Sequence, residues 1–161
     1  NARLFFTKMK FSLEIRNISG SMRIILPLFS RQPRSFGRIE AVIDTGSPKT
    51  IISAGDAIRL NIPFTNLQIT EPLTGLGKGR TPMLLMNNFM FSIRNSDGKP
   101  ISIIMPILVA DVPRIRNEGQ EKLNNATRIP TLIGMDFLEL NNFDLFVSLN
   151  KNIAYLEKTD E

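Results

Sequence analysis

Apolar and polar residues alternate with a period of two along much of the chain, in short runs broken by turn residues. That pattern predicts many short strands. Phe11–Arg16 alternates as F-S-L-E-I-R, Asn17–Ser21 (NISGS) supplies a turn, and Met22–Phe29 returns as a second strand, which predicts a hairpin. RQPRS reads as a loop, and Phe36–Ile43 (FGRIEAVI) predicts a third strand delivering Asp44 at its far end. Residues 51–60 (IISAGDAIRL) predict a helical turn or two, stopped at Pro63. Thr74–Pro82 (TGLGKGRTP) carries glycine at every second position. It is followed by an apolar strand in MLLMNNFMFSI, a turn in NSDGKP and a very apolar strand in ISIIMPILVA. Asp111–Arg128 is charged and polar, which predicts a surface loop with a short helix, inserted into the pattern. IPTLIG then predicts a buried strand, MDFLEL a helical segment, and NNFDLFVSLNKNIAYLE a hairpin turning at Asn150–Asn152. The expected fold class is mostly β.

Composition narrows the chemistry. A chain of 161 residues, 42% hydrophobic and 22% charged, is expected to form a single globular domain over 1–161 with one core. No apolar run approaches bilayer length, and NARLFFTKMKFSLEIRN carries charges where a signal peptide needs an unbroken apolar centre. A cytoplasmic protein with no membrane partner is therefore expected. Cys and His both number 0. This excludes a disulfide framework, Ser-His and Cys-His nucleophiles and the usual transition-metal ligands, so no metal and no cofactor are expected. Chemistry must run on carboxylates, hydroxyls, amides or lysines. The net charge of +5 concentrates in residues 1–38, where Arg3, Lys8, Lys10, Arg16, Arg23, Arg31, Arg34 and Arg38 face one acid, Glu14. These cations alternate with apolar residues as on the wet face of strands, and no aromatic stacking pattern accompanies them. A nucleic-acid partner is accordingly not expected.

The candidate chemistry lies in AVIDTGSPKTIIS, Ala41–Ser53, where a buried-strand pattern ends on one carboxylate and passes into Thr-Gly-Ser. Asp, Thr, Gly and Ser are all turn formers, and a strand-ending turn alone would account for them. Two further elements alter that reading: the glycine-rich Leu73–Arg80, and Thr131-Leu132-Ile133-Gly134 leading into a helix. VIDTGS, LTGLGKG and TLIGMDFL in this order resemble the retroviral-type, or retropepsin-like, single-domain aspartic proteases over roughly Met22–Leu156. The resemblance implies a closed acid-protease β-barrel of one pepsin-like lobe with a short C-terminal helix, acting as a two-fold homodimer. Residues 1–21 would be an N-terminal strand or extension, 73–82 the flap and 111–128 a surface insertion.

The same resemblance implies that Asp44 is the catalytic aspartate, that Thr45 and Gly46 complete its loop, and that Ile133 and Gly134 close the crossing that braces it. Gly75, Leu76, Gly77, Lys78 and Gly79 would form a substrate-binding flap. Peptide hydrolysis by carboxylates needs two of them sharing one proton. The chain has no second Asp-Thr/Ser-Gly, so symmetry must supply the partner and the substrate would be an extended peptide or protein. The Ser47 hydroxyl is expected to donate toward Asp44, which would suit an acidic working range. The family commonly carries an Arg after the helix-entry glycine and an Asp just past the catalytic triplet. Met135 and Pro48 stand there instead, so dimer stability must come from elsewhere. Asp136 is expected to be structural, bonding backbone at its helix start. A competing reading keeps the fold without the chemistry, as a dimerisation or peptide-binding module with a basic N-terminal partner surface. An unrelated β-barrel with a fortuitous triplet would leave Asp44 on an exposed turn of a monomer.

Overall fold

The computed structural model describes residues 8–74 and 80–159. The chain opens with β1 (Lys8–Ser12) and β2 (Glu14–Ile18), and continues through two long strands, β3 (Ser21–Gln32) and β4 (Ser35–Ile43). Next come β5 (Ile51–Ile52), α1 (Ala54–Arg59), β6 (Gln68–Ile69), β7 (Leu73–Thr74) and β8 (Arg80–Thr81). A second long pair, β9 (Met83–Arg94) and β10 (Pro100–Ala110), leads to α2 (Val112–Asn117) and α3 (Gln120–Thr127). The chain closes with β11 (Leu132–Ile133), α4 (Met135–Leu140), β12 (Phe143–Ser148) and β13 (Ile153–Thr159). Strand makes up 51% and helix 18%, so the mostly-β expectation holds. No helix among the described residues is long and apolar enough to cross a membrane.

Eight strands form the main sheet in the order β2-β3-β4-β11-β5-β10-β9-β6, and β3 also bonds β9 through Phe29↔Ser92 and Ser30↔Phe91. The sheet therefore curls back on itself and encloses its apolar side. A second sheet, β1-β13-β12, lies against the same core. Four aromatic rings join the parts: Phe91 of β9 meets Phe137 of α4 at 6.1 Å, Phe137 stacks on Phe143 of β12 at 5.2 Å, and Phe143 meets Phe11 of β1 edge-on at 5.3 Å. Each contact of this kind adds about 0.5–1.5 kcal/mol beyond the area it buries.

Three local expectations need revision. The alternating run Phe11–Arg16 is not one strand. It breaks at Leu13, whose N–H donates to Ala154 O at 3.0 Å, so that β1 pairs with β13 while β2 pairs with β3. Alternation records which face a residue shows and carries no information about which strand it bonds. RQPRS is not a loop either. The strands run on to Gln32↔Ser35 and turn over Pro33 and a left-handed Arg34, φ 66°. Proline before a positive-φ residue is the composition of a two-residue type II turn. The predicted surface loop with a short helix at 111–128 is two helices. Asp111 caps α2 by accepting from Arg114 N at 3.2 Å, and Gly119 (φ 123°) turns the chain into α3. Val112, Ile115 and Leu123 anchor these helices in the core, three apolar residues hidden in a polar text.

Candidate active site

Ala41, Val42 and Ile43 are buried at the end of β4, as an apolar run in a two-sided sheet requires. β11 runs parallel beside them, with Leu132↔Val42 and Ile133↔Ile43 in register. Val42 N donates to Thr131 O and Asp44 N to Ile133 O, both at 2.9 Å. Asp44 therefore leaves the sheet at a point where the backbone is held from a segment far away in sequence. Ile133 is fully buried, which fixes the clamp.

Beyond β4 the chain makes a short loop. Ser47 N donates to Asp44 O at 3.1 Å, and Gly46 N donates to the Asp44 carboxylate, Oδ1, at 2.9 Å. A Cβ on Gly46 would sit 3.2 Å from that oxygen, so glycine lets the amide approach. Asp44 is half-buried, while Thr45 and Gly46 form an exposed apex. The Ser47 hydroxyl is spent elsewhere. It donates to Lys49 O at 2.7 Å, which corrects the expectation that it donates to Asp44 and removes the basis for an acidic working range.

The segment after β11 passes directly under this loop. Met135 N donates to Ser47 O at 2.8 Å and Asp136 N to Pro48 O at 3.2 Å. The crossing is so close that a Cβ on Gly134 would fall 2.4 Å from Lys49 O and 2.7 Å from Ser47 O. Asp136 locks the two strands of the crossing together. Its Oδ1 accepts from Thr50 Oγ1 and from Phe137 N at 2.7 Å each, and its Oδ2 from Thr50 N at 3.1 Å. It is structural, as its place at the start of α4 suggests. Thr50, buried in the loop, also accepts from Gly134 N at 3.1 Å. Sequence reasoning missed Thr50, since nothing in the linear order ties it to Asp136, 86 residues away.

A second hydroxyl braces the neighbouring turn. Thr131 Oγ1 accepts from Ser53 N at 3.0 Å and donates to Asp56 Oδ2 at 2.6 Å, while Asp56 also accepts from Arg59 at 2.9 Å. Beside the crossing, Ile51, Met83, Leu132 and Ile129 line a small apolar recess, with Ile129 contributed by the segment following α3. β7 and β8 pair antiparallel through Leu73↔Thr81 and Thr74↔Arg80, and the expected flap residues Gly75, Leu76, Gly77, Lys78 and Gly79 between them lie outside the described residues.

Thr50→Val tests the lock. It removes the hydroxyl that serves both Asp136 and the Gly134 amide, leaving two groups short of a partner. The expected cost is roughly 1–3 kcal/mol, read as a lower urea midpoint at unchanged slope. A change under about 0.5 kcal/mol, the range of ordinary surface substitutions, would show the bond to be dispensable.

A carboxylate so placed can give or take one proton, but it cannot take one from water and give one to a carbonyl in the same step. No family model matches this sequence, and no curated protein matches it. Solved structures do. A retropepsin-like aspartic protease from Rickettsia conorii aligns over 100% of this chain and 100% of its own, with 16% identity and a TM-score of 0.54. The EIAV protease complexed with the inhibitor HBY-793 aligns at 17% identity over 82% of this chain and 100% of its own, TM-score 0.48. The retroviral protease-like domain of Ddi1 from Leishmania major aligns at 16% identity over 86% and 89%, TM-score 0.47. The full-length alignment with the Rickettsia structure shows the fold: that of this chain is retropepsin-like.

Proposed function

We propose that the chain is an aspartic endopeptidase whose catalytic pair is Asp44 and the Asp44 of a second copy, across a two-fold axis. The observation that carries this reading is the state of the chain's carboxylates around the crossing. Asp136 is bound to Thr50 and the α4 start, Asp56 to Arg59 and Thr131, and Asp111 to the α2 start, whereas Asp44, half-buried beneath the Thr45-Gly46 apex, has one amide on one oxygen. Its missing partner has to come from outside the chain, and a two-fold axis running between Asp44 and its copy supplies an identical group.

Two carboxyls that close share a single proton. The ionised one takes a proton from water as its oxygen attacks the scissile carbonyl carbon, and the protonated one gives its proton to the carbonyl oxygen. The tetrahedral intermediate then collapses: the C–N bond breaks, and the amine leaves with a proton returned by the dyad. Thr45 would fix the loop by bonding across the axis. The hairpin β7–β8, with Gly75, Leu76, Gly77, Lys78 and Gly79 at its tip, would close over an extended peptide laid down by strand addition. The recess at Ile51, Met83 and Leu132 would receive an apolar side chain. The strand closure would then be the closed barrel of one pepsin-like lobe.

The test is cleavage of a mixed peptide library across a range of protein concentrations, with sedimentation run in parallel. Turnover per subunit should fall as the dimer dissociates and should be blocked by a pepstatin-class inhibitor. Inhibitor-insensitive cleavage, or turnover that stays constant where sedimentation finds only monomer, would refute the shared dyad.

A further inference from the structure

We propose that the outer face formed by β4, β3, β9 and β10 is a binding platform for single-stranded nucleic acid. The inference is independent of the catalytic reading. Register puts Phe36 opposite Arg31 and Arg38 opposite Phe29 across β3 and β4, Phe29 opposite Ser92 across β3 and β9, and Met90 opposite Ile104 across β9 and β10. Residues paired across strands share a face. Phe29, Arg31, Phe36, Arg38, Met90 and Ile104 therefore stand on one side, while their neighbours Leu28, Ser30, Ile39, Phe91 and Ile103 fill the core. Phe36 is 67% exposed and Ile104 59%, and with Phe29 and Met90 they make an apolar row across four strands, interrupted by Arg31, where a purely solvated face would be polar.

The row is ringed by cations. The guanidinium of Arg94 lies 5.9 Å from the Phe29 ring centre, Arg31 is held by its Nε bond to Ser92 at 3.1 Å, and Arg34 sits at the adjoining hairpin turn. Among the described residues, none of Arg31, Arg34 and Arg94 pairs with a carboxylate. The acid on this face, Glu40, is bonded by Arg16 at 2.8 Å, which holds its carboxyl below the usual range. The charge left available is positive and lies around the exposed Phe36 ring and the half-buried Phe29 ring.

The geometry favours a nucleic-acid strand over an acidic peptide. β3 is bonded on both sides, to β4 and β9, and β9 to β10, so a peptide finds no free backbone edge to extend on this face. A base needs only a ring to stack on, and phosphates need only the guanidinium groups around it. From β4 to β10 the face spans three strand spacings, about 14 Å, the width over which four-stranded RNA-binding sheets stack two or three bases. The linear sequence conceals the arrangement, because Phe29 and Phe36 share a face only once the hairpin folds.

The experiment is fluorescence anisotropy of a labelled ten-nucleotide oligo(dT), titrated with the full chain at several salt concentrations. Binding is expected, with log K falling linearly against log salt at a slope of about −2 to −3, as three or four phosphate contacts require. Phe36→Ala should weaken it roughly tenfold at unchanged slope, Phe36→Tyr should restore it, and Arg31→Ala should flatten the slope by about 0.7. Circular dichroism should find each variant folded, since these side chains lie outside the core. No binding at low salt, or equal affinity in Phe36→Ala, would overturn the proposal. So would equal competition by a polyglutamate peptide, which would assign the face to an acidic protein.

Discussion

Replacing Asp44 by Asn is expected to lower peptide hydrolysis by at least ~10³-fold while leaving the protein folded. Asparagine keeps the side-chain oxygen that accepts from Gly46 N, so the loop and the Ser47 turn retain their bonds. It cannot ionise and it cannot carry the shared proton, and every active unit would contain two such groups. Initial rates on a cleavable library peptide, measured beside thermal unfolding, separate lost chemistry from lost structure. Turnover equal to that of the unaltered chain would end the enzyme reading. A variant that loses both activity and fold would instead place Asp44 in the structural framework, and Asp44→Ser would then distinguish a hydrogen-bonding role from a catalytic one.

Gly134→Ala should be the most damaging change to the fold itself. The added methyl would lie 2.4 Å from Lys49 O, 2.5 Å from Lys49 C and 2.7 Å from Ser47 O, all backbone atoms. Relief by rotating a side chain is impossible. Nor can the loop retreat freely, since Met135 N bonds Ser47 O and Thr50 is tied to Asp136 through both its amide and its hydroxyl. Overpacking against fixed backbone is expected to cost about 3 kcal/mol or more, a fall of roughly 6–12 °C in Tm for a chain of this size. Activity should fall further than the folded fraction, because the displaced loop is the one carrying Asp44. A Tm within 2 °C of the unaltered chain would mean that the two segments are free to separate, and that the crossing does not position Asp44.

The parts of this protein legible in the sequence are those whose cause is local. Val42-Ile43-Asp44 announces a buried strand with a carboxylate at its end, and Leu132-Ile133-Gly134 announces a second buried strand that must turn sharply before MDFLEL. The turns at Ser19-Gly20 and Asn95–Lys99 follow from Gly20 and Gly98, which take left-handed backbone at φ 83° and 80°. Where a choice depended on a distant partner, the text was silent or misleading. Ser47 looked like a donor to Asp44 because they are three residues apart, yet its hydroxyl donates to the Lys49 carbonyl. Asp111–Arg128 looked like a surface loop with a short helix because polar and charged residues far outnumber Val112, Ile115 and Leu123, the three that reach the core. Helix formation there depends on packing α2 and α3 on each other and on α1, which burying Val112, Ile115 and Leu123 requires.

By itself, then, the order of residues determined that the chain would be mostly strand, that its chemistry could use neither thiol nor imidazole, and that Asp44 would stand where a buried strand ends. Only the tertiary structure decided that β1 leaves β2 to join the C-terminal hairpin, that Thr50 and Asp136 lock the loop, and that Phe29 and Phe36 come to share a face with arginines from three strands. The physical reason is the same in each case. Alternation and turn chemistry act over a few residues, whereas a hydrogen bond or a shared sheet face between segments tens of residues apart depends on strand register, which is settled only when the whole core closes.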